Sequence, residues 1–332
     1  MKKLSRATTA ALFFAAVFSL FSLAGCGSTP VEKPADSLTI VSTIFPSYDW
    51  AENILAGSGH TPTLLMKNGV DMHSFQPTAA DIISLADADL FIYVGGESDA
   101  WVESALKNAQ NENMTVINMM NVLSSSLREE ELAEGMQGEA DDHDHDHDHK
   151  DEPAYDEHVW LSIENAETIS SAIADALCAL DESHADLYRE NLSNYLEKLS
   201  ALSDDYQHTV DTAARKTILF GDRFPFLYLT REYGLDYYAA FPGCSAETEA
   251  SFATVSFLAG KVDEFSLPYV LTIDGSDGKI AQTIIDNTAS RSAGILTLNS
   301  MQSVTDEQLQ AGENYLSIME ENLEVLKKAL ND

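Results

Sequence analysis

From Leu38 onward, short apolar runs alternate with stretches whose apolar positions recur every three or four residues. Residues 39–43, 63–66, 90–94 and 115–118 are short, apolar and mostly β-branched or aromatic, the pattern of buried strands. Between them, 47–55, 78–86 and 99–108 carry helical spacing. Thr78 followed by Asp81 has the spacing of a capping box and marks a helix start. The alternation repeats later in the chain. Strands are predicted at 217–220, 236–240, 269–273 and 295–298, and helices at 224–232, 249–265 and 279–288. Strand–helix alternation predicts a mostly parallel sheet flanked by helices, and two such series predict an α/β fold of two lobes.

Residues 183–214 separate the two series and contain neither Gly nor Pro. Tyr188, Leu192, Tyr195, Leu196, Leu199, Leu202, Tyr206 and Val210 recur at three- and four-residue steps. This predicts one rigid helix of about 45 Å at 1.5 Å per residue, joining the lobes as a spine and opening on a second capping-box pair, Ser183 and Asp186. One segment breaks the pattern. Residues 128–156 are nearly all polar and bury too little apolar surface to order themselves, which predicts a disordered insert in the first lobe. The expected organisation is an N-terminal lobe at 38–182, a linking helix at 183–214 and a C-terminal lobe at 215–332.

The N-terminus bears on compartment. Lys2, Lys3 and Arg6 precede an apolar run at 10–24, of signal-peptide length and short for a membrane span. Leu23-Ala24-Gly25-Cys26 follows and resembles a bacterial lipobox, where the leader is cut before the cysteine and the thiol takes a lipid. The expectation is a signal peptide at 1–25, lipid attachment at Cys26, a flexible tether at 26–37 and an extracytoplasmic protein held to the bilayer. The charge agrees with a cation-attracting surface: 19 Lys+Arg stand against 54 Asp+Glu, a formal net charge of −35. Such a surface repels nucleic acid and anionic lipid head groups. The other two cysteines, Cys178 and Cys244, either pair outside the cytoplasm or stay as small buried residues.

Histidine carries the chemistry. His143, His145, His147 and His149 alternate with Asp inside the polar insert, offering many interchangeable imidazole–carboxylate pairs for zinc-like cations. Two further histidines, His73 and His158, lie in loops after predicted strands, where open α/β lobes bind ligands. His60 has no comparable context and reads as a surface residue. No His-Glu-x-x-His helix motif is present, so a metallohydrolase is not expected.

The stretch Asp71-Met72-His73-Ser74-Phe75-Gln76-Pro77-Thr78 resembles the Asp-Pro-His-Ser-Phe/Tyr-Glu-Pro-Thr motif of the zinc/manganese ABC-transporter solute-binding proteins. Residues 157–166, Glu-His-Val-Trp-Leu-Ser-Ile-Glu-Asn-Ala, resemble that family's Pro-His-Val-Trp-Leu-(Asp/Ser)-Pro-x-Asn-Ala, and an acidic His-rich loop before it is typical of zinc members. The resemblance runs from about Leu38 to Leu330. It implies a monomeric, non-enzymatic solute-binding lipoprotein that captures Zn²⁺ between its lobes for an ABC permease. Manganese capture remains an alternative within the class, and a zinc-buffering or adhesion lipoprotein one outside it. His73 and His158 match the family's first-lobe ligands. In the second lobe Asp222 stands where the family commonly has His or Glu, and Asn299 where it often has Asp. Asp274 is the substitute expected for the fourth ligand, with Glu247 and Glu249 as weaker candidates.

Overall fold

The computed structural model describes residues 37–138, 154–245 and 249–332. The leader, Cys26, the tether up to residue 36, the tract His143, His145, His147 and His149, and Glu247 lie outside the described residues. The first lobe holds strands β1 (Ile40–Ser42), β2 (Pro62–Leu64), β3 (Leu90–Tyr93) and β4 (Thr115–Asn118), in the order β2-β1-β3-β4 and all parallel. Helices α1 (Phe45–Leu55), α2 (Ala79–Ala86), α3 (Trp101–Leu106), α4 (Met119–Val122) and α5 (Ile163–Leu180) accompany them. Helix α6 (Ala185–Thr212) then leads to the second lobe. There β5 (Thr217–Phe224), β6 (Asp236–Pro242), β7 (Tyr269–Ile273) and β8 (Gly294–Leu298) run parallel in the order β6-β5-β7-β8. Helices α7 (Leu227–Tyr233), α8 (Phe252–Phe265), α9 (Lys279–Asp286), α10 (Asp306–Ala311) and α11 (Tyr315–Asn331) complete the chain.

All eight expected strands form; the inner strands of each sheet are apolar runs buried on both faces, as parallel sheets require, while the edge strands β2, β4, β6 and β8 keep exposed or half-exposed positions. Thr78 caps α2 in the expected box with Asp81. The start of α6 differs from expectation. Ser183 does not cap it; Asp181 takes that role for a preceding 3-10 turn, accepting from Ser183 N at 3.1 Å and Ser183 Oγ at 2.6 Å. Helix α6 is 28 residues long, about 42 Å at 1.5 Å per residue.

The ends of the polar insert also differ from a fully disordered segment. Glu129 bridges Tyr155, and Asp156 N donates to Arg128 O at 2.9 Å. Gln137 N donates to Ala240 O at 2.9 Å, and Arg231 pairs with Glu131. Composition predicts disorder where no apolar area is buried; here backbone edges and charges docked on the second lobe hold the two ends instead.

One apolar core runs through both lobes, from Ile40 in β1 to Leu330 in α11, and a smaller one fills the outer side of the second sheet. Helix α11 returns against α1 and α6, so the last element of the chain closes on the first lobe. At that seam Asp49 accepts from Tyr315 N at 3.2 Å and Tyr195 OH at 3.4 Å, and Trp50 meets Tyr315 edge-to-face at 5.2 Å. Tyr206 OH donates to Met319 O at 2.6 Å. Burial pushes the Asp49 carboxyl up to about 7, only partly opposed by these donors. A carboxyl with a raised folded pKa stabilises the fold below its unfolded value near 3.8, and that contribution is lost as pH rises through about 7. Asp49→Asn is therefore expected to stabilise the protein by about 1–3 kcal/mol at pH 8 and by almost nothing at pH 4. Thermal denaturation of both chains across that range checks it; a gain at pH 4 equal to that at pH 8 would count against an ionised, desolvated Asp49.

Candidate metal centre

The site is built from three loops at the carboxyl ends of strands. In the first lobe, Asp71 caps the single 3-10 turn Met72–Ser74, its Oδ1 accepting from His73 N at 3.0 Å. The turn places His73 with Nδ1 at 2.8 Å from Ser98 Oγ. The other Asp71 oxygen reaches across to the second lobe and accepts from Arg223 Nη2 at 2.7 Å. Burial alone would raise the Asp71 carboxyl; the Arg223 guanidinium outweighs it and holds the group below its ordinary range.

His158 arrives from the end of the polar insert and has no exposed surface. Asp156 Oδ1 accepts both His158 N at 2.8 Å and Nδ1 at 3.0 Å. An ionised carboxylate only accepts, so Nδ1 carries the proton and Nε2 keeps its lone pair. That lone pair faces His73 Nε2 at 3.2 Å. Two nitrogens about 2.0–2.1 Å from a tetrahedral zinc stand about 3.3 Å apart. The imidazoles thus already span one edge of a zinc coordination tetrahedron. Gly243 explains how the second lobe comes so near: a Cβ there would sit 2.8 Å from His158 Cε1, so only glycine lets this loop lie on the ring.

The second lobe adds two donors. Asp222 lies within β5, where the pairing with β6 shifts register between Phe220 and Arg223, and not in a loop after the strand. Its Oδ1 accepts from Arg223 N at 2.8 Å, and its buried Oδ2 has no hydrogen-bond partner. Cys244 follows β6, and its sulfur lies within 4.8 Å of the ligand nitrogens of both His73 and His158. Burial first, then the charges of Asp156, Glu157 and Glu130, push this thiol up. His73, Asp222, Arg223 and Cys244 line a cavity of about 540 Å³ that opens the site to solvent. Its electrostatics suit a cation: carboxylates of both lobes surround two imidazoles and a thiol, with Arg223 already paired to Asp71.

The family model for ZnuA, the periplasmic component A of a zinc-uptake complex, matches residues 40–329. The chain belongs to this family. It is 32% identical to the zinc-binding lipoprotein AdcA of Streptococcus pneumoniae serotype 4 over 332 residues, 99% of this chain and 61% of that protein. It is 30% identical to the high-affinity zinc uptake system protein ZnuA of Bacillus subtilis over 93% of each chain. Among solved structures, the Zn(II)-bound ZnuA-like domain of Streptococcus pneumoniae AdcA superposes with a TM-score of 0.69 at 26% identity, covering 89% of this chain and 100% of that one. The chain thus spans about three fifths of the length of the pneumococcal relative. Two parallel four-stranded sheets, flanked by helices and joined by one long helix, are the fold of this ZnuA-like group.

Of the expected ligands, the structure sets His73 against His158 and places Asp222 beside His73 on the cavity wall; among the described residues the tight donor group is His73, His158 and Cys244, and Asp222 stands outside it. Asp274 is not among the donors grouped at the two imidazoles nor on the cavity wall: Oδ1 accepts from Ser300 N at 2.6 Å and Ser300 Oγ at 2.7 Å, and Oδ2 from Ser303 Oγ at 3.0 Å. It ties the β7 and β8 loops together. Asn299 holds the same turn, accepting from Met301 N at 2.8 Å and bonding to Asn322. Glu249 is exposed, and α8 begins only at Phe252 behind a Ser251 cap, so Glu249 faces neither helix N-terminus nor imidazole. His60 is not a plain surface residue: its Nε2 lies 3.3 Å from Asp181, which also accepts from His184 at 2.6 Å and Tyr188 at 2.9 Å, a closed knot beneath α6. Cys244 is what sequence reasoning missed as a site residue. It and Cys178 are both free, Cys178 sitting on α5 of the other lobe. The one signal available was its place in the loop after a second-lobe strand.

Burial, reinforced by the neighbouring His158, pushes the His73 imidazole down to about 3. An unfolded His73 takes up its proton near 6.5, so the fold loses stability as pH falls from 6.5 toward 3. Ring nitrogen NMR of the metal-free protein should show His73 still neutral at pH 5. An imidazolium signal for His73 at that pH would contradict the buried pair.

Proposed function

We propose that this chain captures a divalent transition metal, zinc above others, between its lobes and passes it to an ABC permease. The observation that carries the reading is the 3.2 Å approach of His73 Nε2 to His158 Nε2, with His158 Nδ1 held by Asp156. In the metal-free chain the two nitrogens stand at hydrogen-bond distance with one N–H between them, and a cation that displaces that proton finds a spacing that fits zinc. Membership of the zinc-uptake family and the zinc named for the pneumococcal and Bacillus relatives support it. Imidazole donors favour zinc over manganese, which prefers oxygen. His73 and His158 are the first two ligands and Asp222 a third oxygen donor through its unpaired Oδ2.

The core shared by the lobes disfavours wide hinge closure, since opening would expose the seam between α1, α6 and α11. Capture then rests on local movement of the His73 turn and of the Arg223 side chain around a fixed His158. Donors drawn from three loops of two lobes suit retention of an ion more than turnover of a substrate. The lobes are taken as 38–182 and 215–332 with the spine at 183–214. The anchor at Cys26 keeps the chain at the membrane, and the tract His143, His145, His147 and His149 gathers metal nearby. The permease draws the ion from the cavity side, where His73 is the accessible ligand.

Calorimetry on the full chain tests this with zinc and manganese in turn. One tight zinc equivalent is expected above weaker binding by the His tract, and His73→Ala or His158→Ala should weaken it more than about a hundredfold. If both variants kept the tight equivalent, the cleft would not be the zinc site. Tight manganese with weak zinc would move the cargo to manganese.

A further inference from the structure

The family resemblance leads one to expect oxygen or nitrogen donors from the second lobe. The structure places a sulfur there as well. Cys244 Sγ lies within 4.8 Å of the ligand nitrogens of His73 and His158, and it borders the same cavity as the unpartnered Asp222 Oδ2. Around a tetrahedral zinc with nitrogen at about 2.0–2.1 Å and sulfur at about 2.3 Å, a nitrogen–sulfur edge measures about 3.6 Å. A small inward shift of one loop therefore brings the sulfur onto the ion. The loop is built for that approach, since Gly243 lets its backbone rest on the His158 ring. Cys244 N bonds to Glu130 Oε1 at 3.5 Å, tying the loop to the ordered start of the polar insert.

We propose that the Cys244 thiolate is a metal ligand of this protein, completing a centre of two imidazoles, one thiolate and the Asp222 carboxylate. The inference rests on the cleft being the capture site. On coordination the metal replaces the S–H proton, and one proton leaves to solvent for each ion bound at the sulfur. A thiolate is a soft donor, so it separates zinc from manganese far more strongly than a carboxylate in its place would. It also makes capture sensitive to the state of one thiol. Neither property follows from the histidines alone.

Cobalt(II) reports the ligand directly, because a thiolate bound to it gives a near-ultraviolet charge-transfer band that imidazole and carboxylate do not. The full chain carries three cysteines, so Cys26→Ser with Cys178→Ser leaves Cys244 as the sole thiol. With one equivalent of cobalt this chain is expected to show the band together with the intense visible spectrum of a tetrahedral site. Adding Cys244→Ser should abolish the band, weaken zinc at least tenfold and narrow the preference for zinc over manganese. Circular dichroism and the metal-free melting temperature should stay unchanged, which a merely structural role for the sulfur would not allow. Cobalt bound tightly through His73 with no charge-transfer band would overturn the thiolate while leaving the capture reading intact. No tight cobalt or zinc at all would remove both.

Discussion

The turn Val159–Trp160–Leu161, buried completely between the lobes, is the constraint on which the rest of the molecule depends. Trp160 Nε1 donates to Ser300 O at 2.9 Å in the second lobe, and its own carbonyl accepts from Tyr315 OH at 2.8 Å on the last helix. A buried indole N–H without a partner costs a few kcal/mol, so the tryptophan stays in place only while both lobes hold their positions. His158 directly precedes this turn. The wedge that fastens the lobes is therefore also the support of the most buried ligand, and the two cannot be loosened separately.

The remaining links across the seam follow the same logic. Tyr228 OH donates to Asp156 O at 2.8 Å, and Asp156 is the residue that orients His158. Glu232 of α7 accepts from Ile163 N at 3.0 Å and Glu164 N at 3.3 Å at the start of α5, pairing a second-lobe carboxylate with a first-lobe helix N-terminus. Hydrogen bonds of this kind across the seam, the buried Tyr228–Asp156 bond above all, favour a single arrangement of the lobes more than they add net stability. The spine is stiff because it is one uninterrupted helix, and it is also held along its length by α1, α5 and α11.

Rigidity and cation capture are compatible because the donors divide by mobility. His158 is locked. His73 sits on a single 3-10 turn, and Cys244 lies half-buried in the turn that follows β6. Asp71 and Arg223 pair across the cavity mouth, so an arginine next to a cation site keeps its charge offset by a partner already in place. The net field of the cavity is left to the carboxylates around it. Gly221 shows how tightly the floor is made: a Cβ there would lie 2.5 Å from the Ala281 backbone, so β5 and α9 could not meet with any other residue.

Hydrophobic periodicity alone determined the eight strands, the two lobes and the long helix, since each reports only whether a face is buried. The motifs around His73 and His158 were legible for a related reason: residues that hold a ligand loop, such as Asp71, Asp156 and Trp160, are its neighbours in sequence. Where the partner is distant in sequence, local pattern fell silent. Nothing near Asp274 in sequence showed that Ser300 and Ser303 would bond to both of its oxygens, and His60 looked solitary until Asp181 came beside it. Cys244 looked like half of a disulfide or a filler. Only the packing of the β6 loop onto His158, allowed by one glycine, put its sulfur next to two imidazoles. Burial is written in each residue's own character, whereas coordination belongs to groups that meet only when separate loops fold against one another.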